Sequence, residues 1–239
     1  MNFRARFVLF MHAVFVSTCV QAQDKEVADY RFDVQYGQAS KKSPKYATLG
    51  LSKDLFNVFD NKLRLGMGIR IGLYHNVESN YTTADKGLKK LDSQIDTLFF
   101  SNAQAASINF NIKVEYYLIP KVAVGVQFDI LGISEGFEQK STYLPGKDSR
   151  DAGFVRVDNV KNRPTKSNAF STTNAKGSLL NQVFIRFEPT RKFSIMAGIS
   201  ILTQEISSKG QYGSNSQYRF ERLDNMLFVG LSFGRFDEK

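Results

Sequence analysis

The chain predicts an all-β fold, an eight-stranded antiparallel up-and-down β-barrel, on three observations. Large apolar residues alternate with small or polar ones in about eight segments. Tight turns and long polar loops take turns between those segments. After residue 22 no stretch approaches the ~20 apolar residues of a membrane-crossing helix.

The first 22 of the 239 residues stand apart from the rest. Arg4 and Arg6 give a positive start, residues 7–20 are mostly apolar, and Val20-Gln21-Ala22 fits a small-residue cleavage site. That three-part pattern predicts a secretory signal peptide over residues 1–22, leaving 23–239 as one barrel domain. Cys19, the one cysteine, falls inside the signal, so the mature chain is expected to hold no disulfide. A variant reading lipidates Cys19 after Val16-Ser17-Thr18 instead of cleaving it off.

The strands follow in order. Residues 30–37 set Tyr30, Phe32, Val34 and Tyr36 against Arg31, Asp33 and Gln35. Residues 46–52 alternate as well, but 53–59 break phase, which predicts a bulge. The third segment contains Leu63-Arg-Leu-Gly-Met-Gly-Ile-Arg-Ile-Gly-Leu73 and runs to Val77. Five more segments span 105–119, 122–136, 179–188, 193–204 and 226–236. Tight turns are expected at 60–62, 120–121 and 190–192. Long loops are expected at 39–45, 78–104, 137–177 and 208–224, the third of them mobile. Short turns at one end and long loops at the other match a barrel of the outer membrane, with the turns in the periplasm.

Alternation alone does not orient the two faces. A soluble exported barrel buries its apolar face around a ligand, and a membrane barrel turns it to lipid. The apolar face carries no charge in mid-strand from Leu63 onward, which favours lipid, where a mid-depth Arg or Lys costs about 2–4 kcal/mol. Phe59, Tyr116, Tyr117, Phe187, Phe193, Phe233 and Phe236 cluster near the turn end and predict an interfacial belt.

The polar face then encloses Arg31, Arg64, Arg70, Lys113 and Arg186 with Asp33, Glu115, Asp129 and Glu188. An eight-stranded lumen is just wide enough for side chains to fill, so these charges are expected to pair as a structural plug. A three-residue turn at 120–122 would put Lys113 opposite Asp129, with Arg70 and Glu115 joining them. The competing reading is a gated ion path or a catalytic cluster.

Little else speaks of chemistry. His75, the only histidine after the signal, sits at the outer end of the third strand on its lipid or rim side, with no serine in a triad-like position. No cofactor and no metal are expected: the mature chain has no cysteine and no calcium-loop spacing. The formal charge of +9 is informative by its position. Arg4 and Arg6 carry two units, and the four loops together hold all of the remainder. The third loop has eight basic and four acidic residues. Anionic lipopolysaccharide or polysaccharide is the expected partner of that surface, and nucleic acid is not.

The signal ending at Ala22, the alternating strands and the closing segment Leu227-Phe-Val-Gly-Leu-Ser-Phe-Gly-Arg-Phe236 resemble the small outer-membrane β-barrel proteins of Gram-negative bacteria, the OmpA/OmpX-like eight-stranded class. The resemblance is architectural and covers the mature chain. It implies residence in the outer membrane and insertion by the barrel-assembly machinery, which reads a terminal aromatic. Here Asp237-Glu-Lys239 extends past Phe236. The expected function is a non-enzymatic, monomeric barrel with a plugged lumen and basic loops for envelope integrity or surface binding. The alternatives are a lipid A-modifying acyltransferase or deacylase, and a narrow pore.

Overall fold

Eight strands hydrogen-bond into a closed antiparallel ring. The computed structural model describes residues 30–39, 44–59, 62–84, 91–137, 141–170, 177–190, 192–213 and 217–235. The predicted signal, Cys19 and Phe236 lie outside them. The ring strands are β1 (Tyr30–Gln38), β2 (Lys45–Val58), β3 (Leu63–Thr83), β4 (Thr97–Ile119), β5 (Val122–Gly136), β10 (Leu179–Thr190), β11 (Phe193–Tyr212) and β12 (Gln217–Arg235). Each pairs with the next, and β1 pairs with β12 from Tyr30↔Arg235 to Gln38↔Leu227. Four short strands, β6 (Ser141–Leu144), β7 (Val157–Asp158), β8 (Asn162–Arg163) and β9 (Thr165–Asn168), lie between β5 and β10 with helix α1 (Lys147–Asp151). The third loop, expected to be mobile, is therefore built of regular elements over its described residues. β6 adds to β4, β9 to β5 and β8 to β11.

Closure follows from the sequence's alternation, because one face of each strand finds a polar interior and the other stays outside. Leu51, Ile69, Ile71, Leu73, Ile108, Ile185, Ile199 and Leu227 are exposed apolar residues of the outer wall. Arg31, Arg70, Lys113, Glu115, Asp129 and Arg186 are buried inside. The aromatic belt keeps Phe59, Tyr116, Phe187 and Phe233 on the outside. Tyr117 departs from the expectation: its side chain is buried, and its hydroxyl donates to Glu188 at 2.6 Å. It follows Tyr116 directly, so the two must face opposite ways.

Two expected loops are largely strand. Residues 78–83 and 97–104 extend β3 and β4, and β11 and β12 run on to a connection of only residues 213–216. The reason is an inversion of polarity. Above the apolar band the inward side chains become apolar: Tyr81, Leu98, Phe100, Ile206 and Phe220 are all buried. Outward positions there, such as Asn80 and Thr82, are polar. The inward face also changes parity, from Asn76 to Ser79 in β3 and from Ala103 to Phe100 in β4. Glu78, with φ +52, sits at that step. β1 and β2 stop short of this level, and β3 and β12 meet over them through Phe220↔Thr83 and Glu221↔Thr82. A folded crown with an aromatic core thus sits on the barrel. Tyr81 meets Phe100 edge-on at 5.2 Å, and Tyr143 stacks on Tyr212 at 5.1 Å. Asp96 pins α1 to the crown by accepting from Gly146 N at 2.6 Å and Ser149 Oγ at 3.1 Å.

The phase break in β2 is a register shift between Asp54 and Phe56 against β3. Asp54, just before it, continues the inward parity of Ser52 and is buried. Across from it, a Cβ on Gly66 would lie 2.9 Å from Lys53 O and 3.0 Å from Asp54 Oδ1. Gly66→Val is therefore expected to lower the yield of folded barrel, read as the heat-modifiable band on unboiled gels. A wild-type yield would show that this contact can relax. Wild-type protein extracted in detergent should itself migrate differently before and after boiling, as a closed ring with a slow unfolding step does.

Candidate functional site

Among the described residues the lumen holds the largest cluster of buried charge, and it is built in two tiers. Glu115 from β4 is the centre of the lower tier. Its Oε1 accepts from Arg186 Nε at 2.6 Å, and its Oε2 lies 3.9 Å from Arg31 and 4.0 Å from Lys113. Arg31 Nη1 donates to Glu188 at 2.7 Å, and Nη2 is 3.5 Å from Asp54. Lys113 Nζ is 3.5 Å from Asp54 and donates to Ser52 Oγ at 3.3 Å. Arg186 Nη1 donates to Ser194 Oγ at 2.7 Å. Arg64 stacks its guanidinium 4.2 Å over the Tyr117 ring. Asp33 is inward and buried, with no ion pair to a described residue.

Arg70 and Asp129 form the upper tier as a direct ion pair. Arg70 also donates to Gln182 Oε1 at 2.5 Å and to Leu180 O at 2.7 Å. Asp129 Oδ2 accepts from Asn109 Nδ2 at 2.7 Å and from Leu180 N at 2.8 Å. Gln182 passes the network to Gln35 at 2.7 Å and to the Tyr46 hydroxyl at 3.0 Å. Buried Phe184, Met196 and Phe228 also face inward on the strands that carry the two tiers. Higher up, Tyr74 donates to Asp224 at 2.9 Å, and Arg222 Nε does so at 2.9 Å.

Two expected partnerships change. Lys113 faces Gln127 instead of Asp129, whose opposite residue is Asn111. The turn between β4 and β5 has two residues, and a register shift between Tyr117 and Ile119 follows it. Together these displace the pairing from the three-residue-turn register. Glu115 is likewise no partner of Arg70. It sits opposite Arg64, while Arg70 sits six positions up β3 opposite Asn109. Of the two carboxylates considered for Arg70, Asp129 takes the role. The residue the sequence reading missed is Asp54: it continues the inward parity of Thr48, Gly50 and Ser52, and the irregularity begins only after it. With Asp54 included, five inward cations (Arg31, Arg64, Arg70, Lys113, Arg186) face five inward carboxylates (Asp33, Asp54, Glu115, Asp129, Glu188).

His75 is half-buried on the outward face of β3, opposite Lys45 and Gln104. Among the described residues no three His, Cys, Asp or Glu side chains converge to hold a metal ion. In the crown, Thr142 Oγ1 and Arg156 donate to Asp158 and hold its carboxyl below the usual range. Burial pushes the Tyr143 hydroxyl up.

A closed ring with an apolar outer wall and a charged, filled interior can exist in hydrocarbon, because every strand has two partners and no edge is left to lipid. It defines the class: an eight-stranded transmembrane β-barrel of the outer-membrane type. Among solved structures the fold is similar to Neisserial surface protein A (11% identity, 86% of this chain and 94% of that chain, TM-score 0.37). It is similar also to the attachment invasion locus protein Ail of Yersinia pestis, solved with the heparin analogue sucrose octasulfate (11% identity, 88% and 100%, TM-score 0.38). A third is the toluene transporter TbuX of Ralstonia pickettii (10% identity, 90% and 75%, TM-score 0.27). No family model and no curated protein sequence matches the chain. The class rests on ring closure and the character of the two faces.

Removing one partner from a buried pair strands the other charge, at about 3–5 kcal/mol. Glu115→Gln, which strips the lower tier of its central anion, is expected to cost that much in urea unfolding from detergent. An unchanged midpoint would show that Arg186 is neutralised without it. The isolated upper pair offers a cleaner cycle. Arg70→Met and Asp129→Leu should each destabilise, and the double variant should recover much of the loss.

Proposed function

We propose that the protein is a non-enzymatic barrel of the outer membrane, with a plugged lumen that carries a folded crown and basic loops for envelope integrity or for binding anionic polysaccharide at the cell surface. The observation that carries this reading is the continuity of the crown with the barrel wall. β3, β4, β11 and β12 run unbroken from the membrane band into it, so the barrel acts as a rigid base for the surface it presents. The two neutralised tiers below and the aromatic core above occupy the route that a pore would need. An eight-stranded ring leaves side chains, not water, at its centre. Crown cations such as Arg156 remain exposed, and Arg163 lies 4.3 Å over the Tyr218 ring. Lipopolysaccharide and the barrel-assembly machinery are the partners this placement implies, and a monomer suffices for it.

Planar bilayers containing the purified chain should show no steady single-channel conductance. Discrete conductance steps would overturn the plug. Dextran sulfate should bind cells displaying the protein, and binding should weaken as salt rises through ~0.15 M, where the Debye length falls to about 8 Å. Lipid A from cells with and without the protein should give the same mass spectrum. A mass change matching gain or loss of an acyl chain would convert the reading to a lipid A-modifying enzyme.

A further inference from the structure

A second site lies outside the lumen, on the outer wall where membrane and crown meet. There a groove of about 420 Å³ is lined by Tyr36, Lys45, Ala47, Leu73, His75 and Phe137, among others. Its residues belong to one lateral row and the row beneath. Lys45 pairs in register with His75, His75 with Gln104, and Phe137 N donates to Gln104 O at 3.1 Å. One step toward the turn end, Ala47 pairs with Leu73. Lys45 and His75 thus stand at the groove's crown side, with apolar surface below them. The small side chain of Ala47 leaves the space that Leu73, Tyr36 and Phe137 enclose. Among the described residues no carboxylate lines the groove.

The depth of the row identifies what meets it. From Leu63 at the turn end to His75 is twelve residues. At ~3.3 Å per residue and a tilt of ~40°, that is a rise of about 30 Å, one hydrocarbon thickness. Lys45 and His75 therefore stand where the outer leaflet carries its phosphates, and the surface beneath stands where acyl chains begin.

We infer that this groove binds a phosphorylated, multiply acylated glycolipid of the outer leaflet, lipid A. An acyl chain lies along Ala47 and Leu73, and a phosphate accepts hydrogen bonds from Lys45 and His75. The inference rests on the outer-membrane placement proposed above, but it needs neither the plug nor a ligand on the crown. A Lys ammonium supplies the charge for a phosphate, and an imidazole N–H supplies a second donor. Both residues face outward, so substituting them leaves the lumen untouched.

Native mass spectrometry of the detergent-solubilised full chain tests this. The probes are bisphosphorylated hexa-acyl lipid A, the same lipid A dephosphorylated, and phosphatidylglycerol. Wild-type protein should retain the bisphosphorylated form at least fivefold better than either other lipid. Lys45→Glu combined with His75→Gln should abolish that preference, and Ala47→Trp, which fills the groove, should reduce retention of all three lipids. Each variant is first shown to keep heat-modifiable gel migration; Lys45→Ala with His75→Ala is the substitute if the charge reversal fails to fold. Equal retention by wild type and the folded double variant would overturn the site. Equal retention of phosphatidylglycerol would overturn lipid A as its occupant. Arg156→Ala with Lys166→Ala in the crown should leave retention unchanged, and loss there would move the binding to the crown. Loss of dextran sulfate binding in that crown variant, with lipid retention intact, separates the fate of this site from that of the proposed surface role.

Discussion

A strand in hydrocarbon cannot leave a backbone N–H or C=O without a partner, and the rest of this structure depends on how that demand is met. The decisive contact is the zipper between β1 and β12, which turns an open sheet into a ring. Closure makes the lumen a narrow space lined by the inward side chains. It also fixes what the inward side chains must do. Small residues let strands approach, as Gly66 does beside Asp54, and most of the large charged residues find counterions inside the lumen.

The pairing that results is distributed over the ring. Glu115 on β4 holds Arg186 on β10, which donates also to Ser194 on β11, while Arg31 on β1 holds Glu188 on β10 and nears Asp54 on β2. Glu115–Arg186 and Arg31–Glu188 span strands that are not neighbours in the ring, and the other two tie adjacent strands. The network therefore works as an internal brace as well as a neutral filling. Isolated, any one of these charges would be costly in a medium of low dielectric; together they balance.

Polarity along the barrel axis is the second theme. Within the membrane band the molecule is inside out, with Ile and Leu facing lipid and Arg and Glu facing the lumen. In the crown the same strands revert to the soluble arrangement, with Tyr81, Phe100 and Phe220 inside and polar residues outside. The change of solvent from lipid to water drives the reversal, and the parity step near Glu78 accommodates it. It also explains why strand ends were hard to read. Over residues 78–83 and 97–104 the alternation persists but with its sense exchanged and its phase moved by one. In one dimension that looks like irregular polar chain. β11 and β12 keep their phase, with Gln204 and Ile206 and with Phe220 and Asp224 on the inward side, and there the mixing of polar and apolar inward residues hid the continuation. The register shift in the β4–β5 pairing likewise moved the partner of Lys113.

Local pattern alone determined the class of fold, the number of ring strands, the positions of the tight turns and which nine charged residues face inward. Those follow from side chains alternating with a period of two, a property each strand carries by itself. Tertiary structure decided who pairs with whom. A counterion is chosen by register between strands distant in sequence, and register moves with every bulge and turn. So Arg70 went to Asp129, Lys113 to Asp54 and Glu115, and Asp54 entered the network unannounced. The crown was decided there too, because its apolar interior exists only once β3 and β12 meet above the shorter strands.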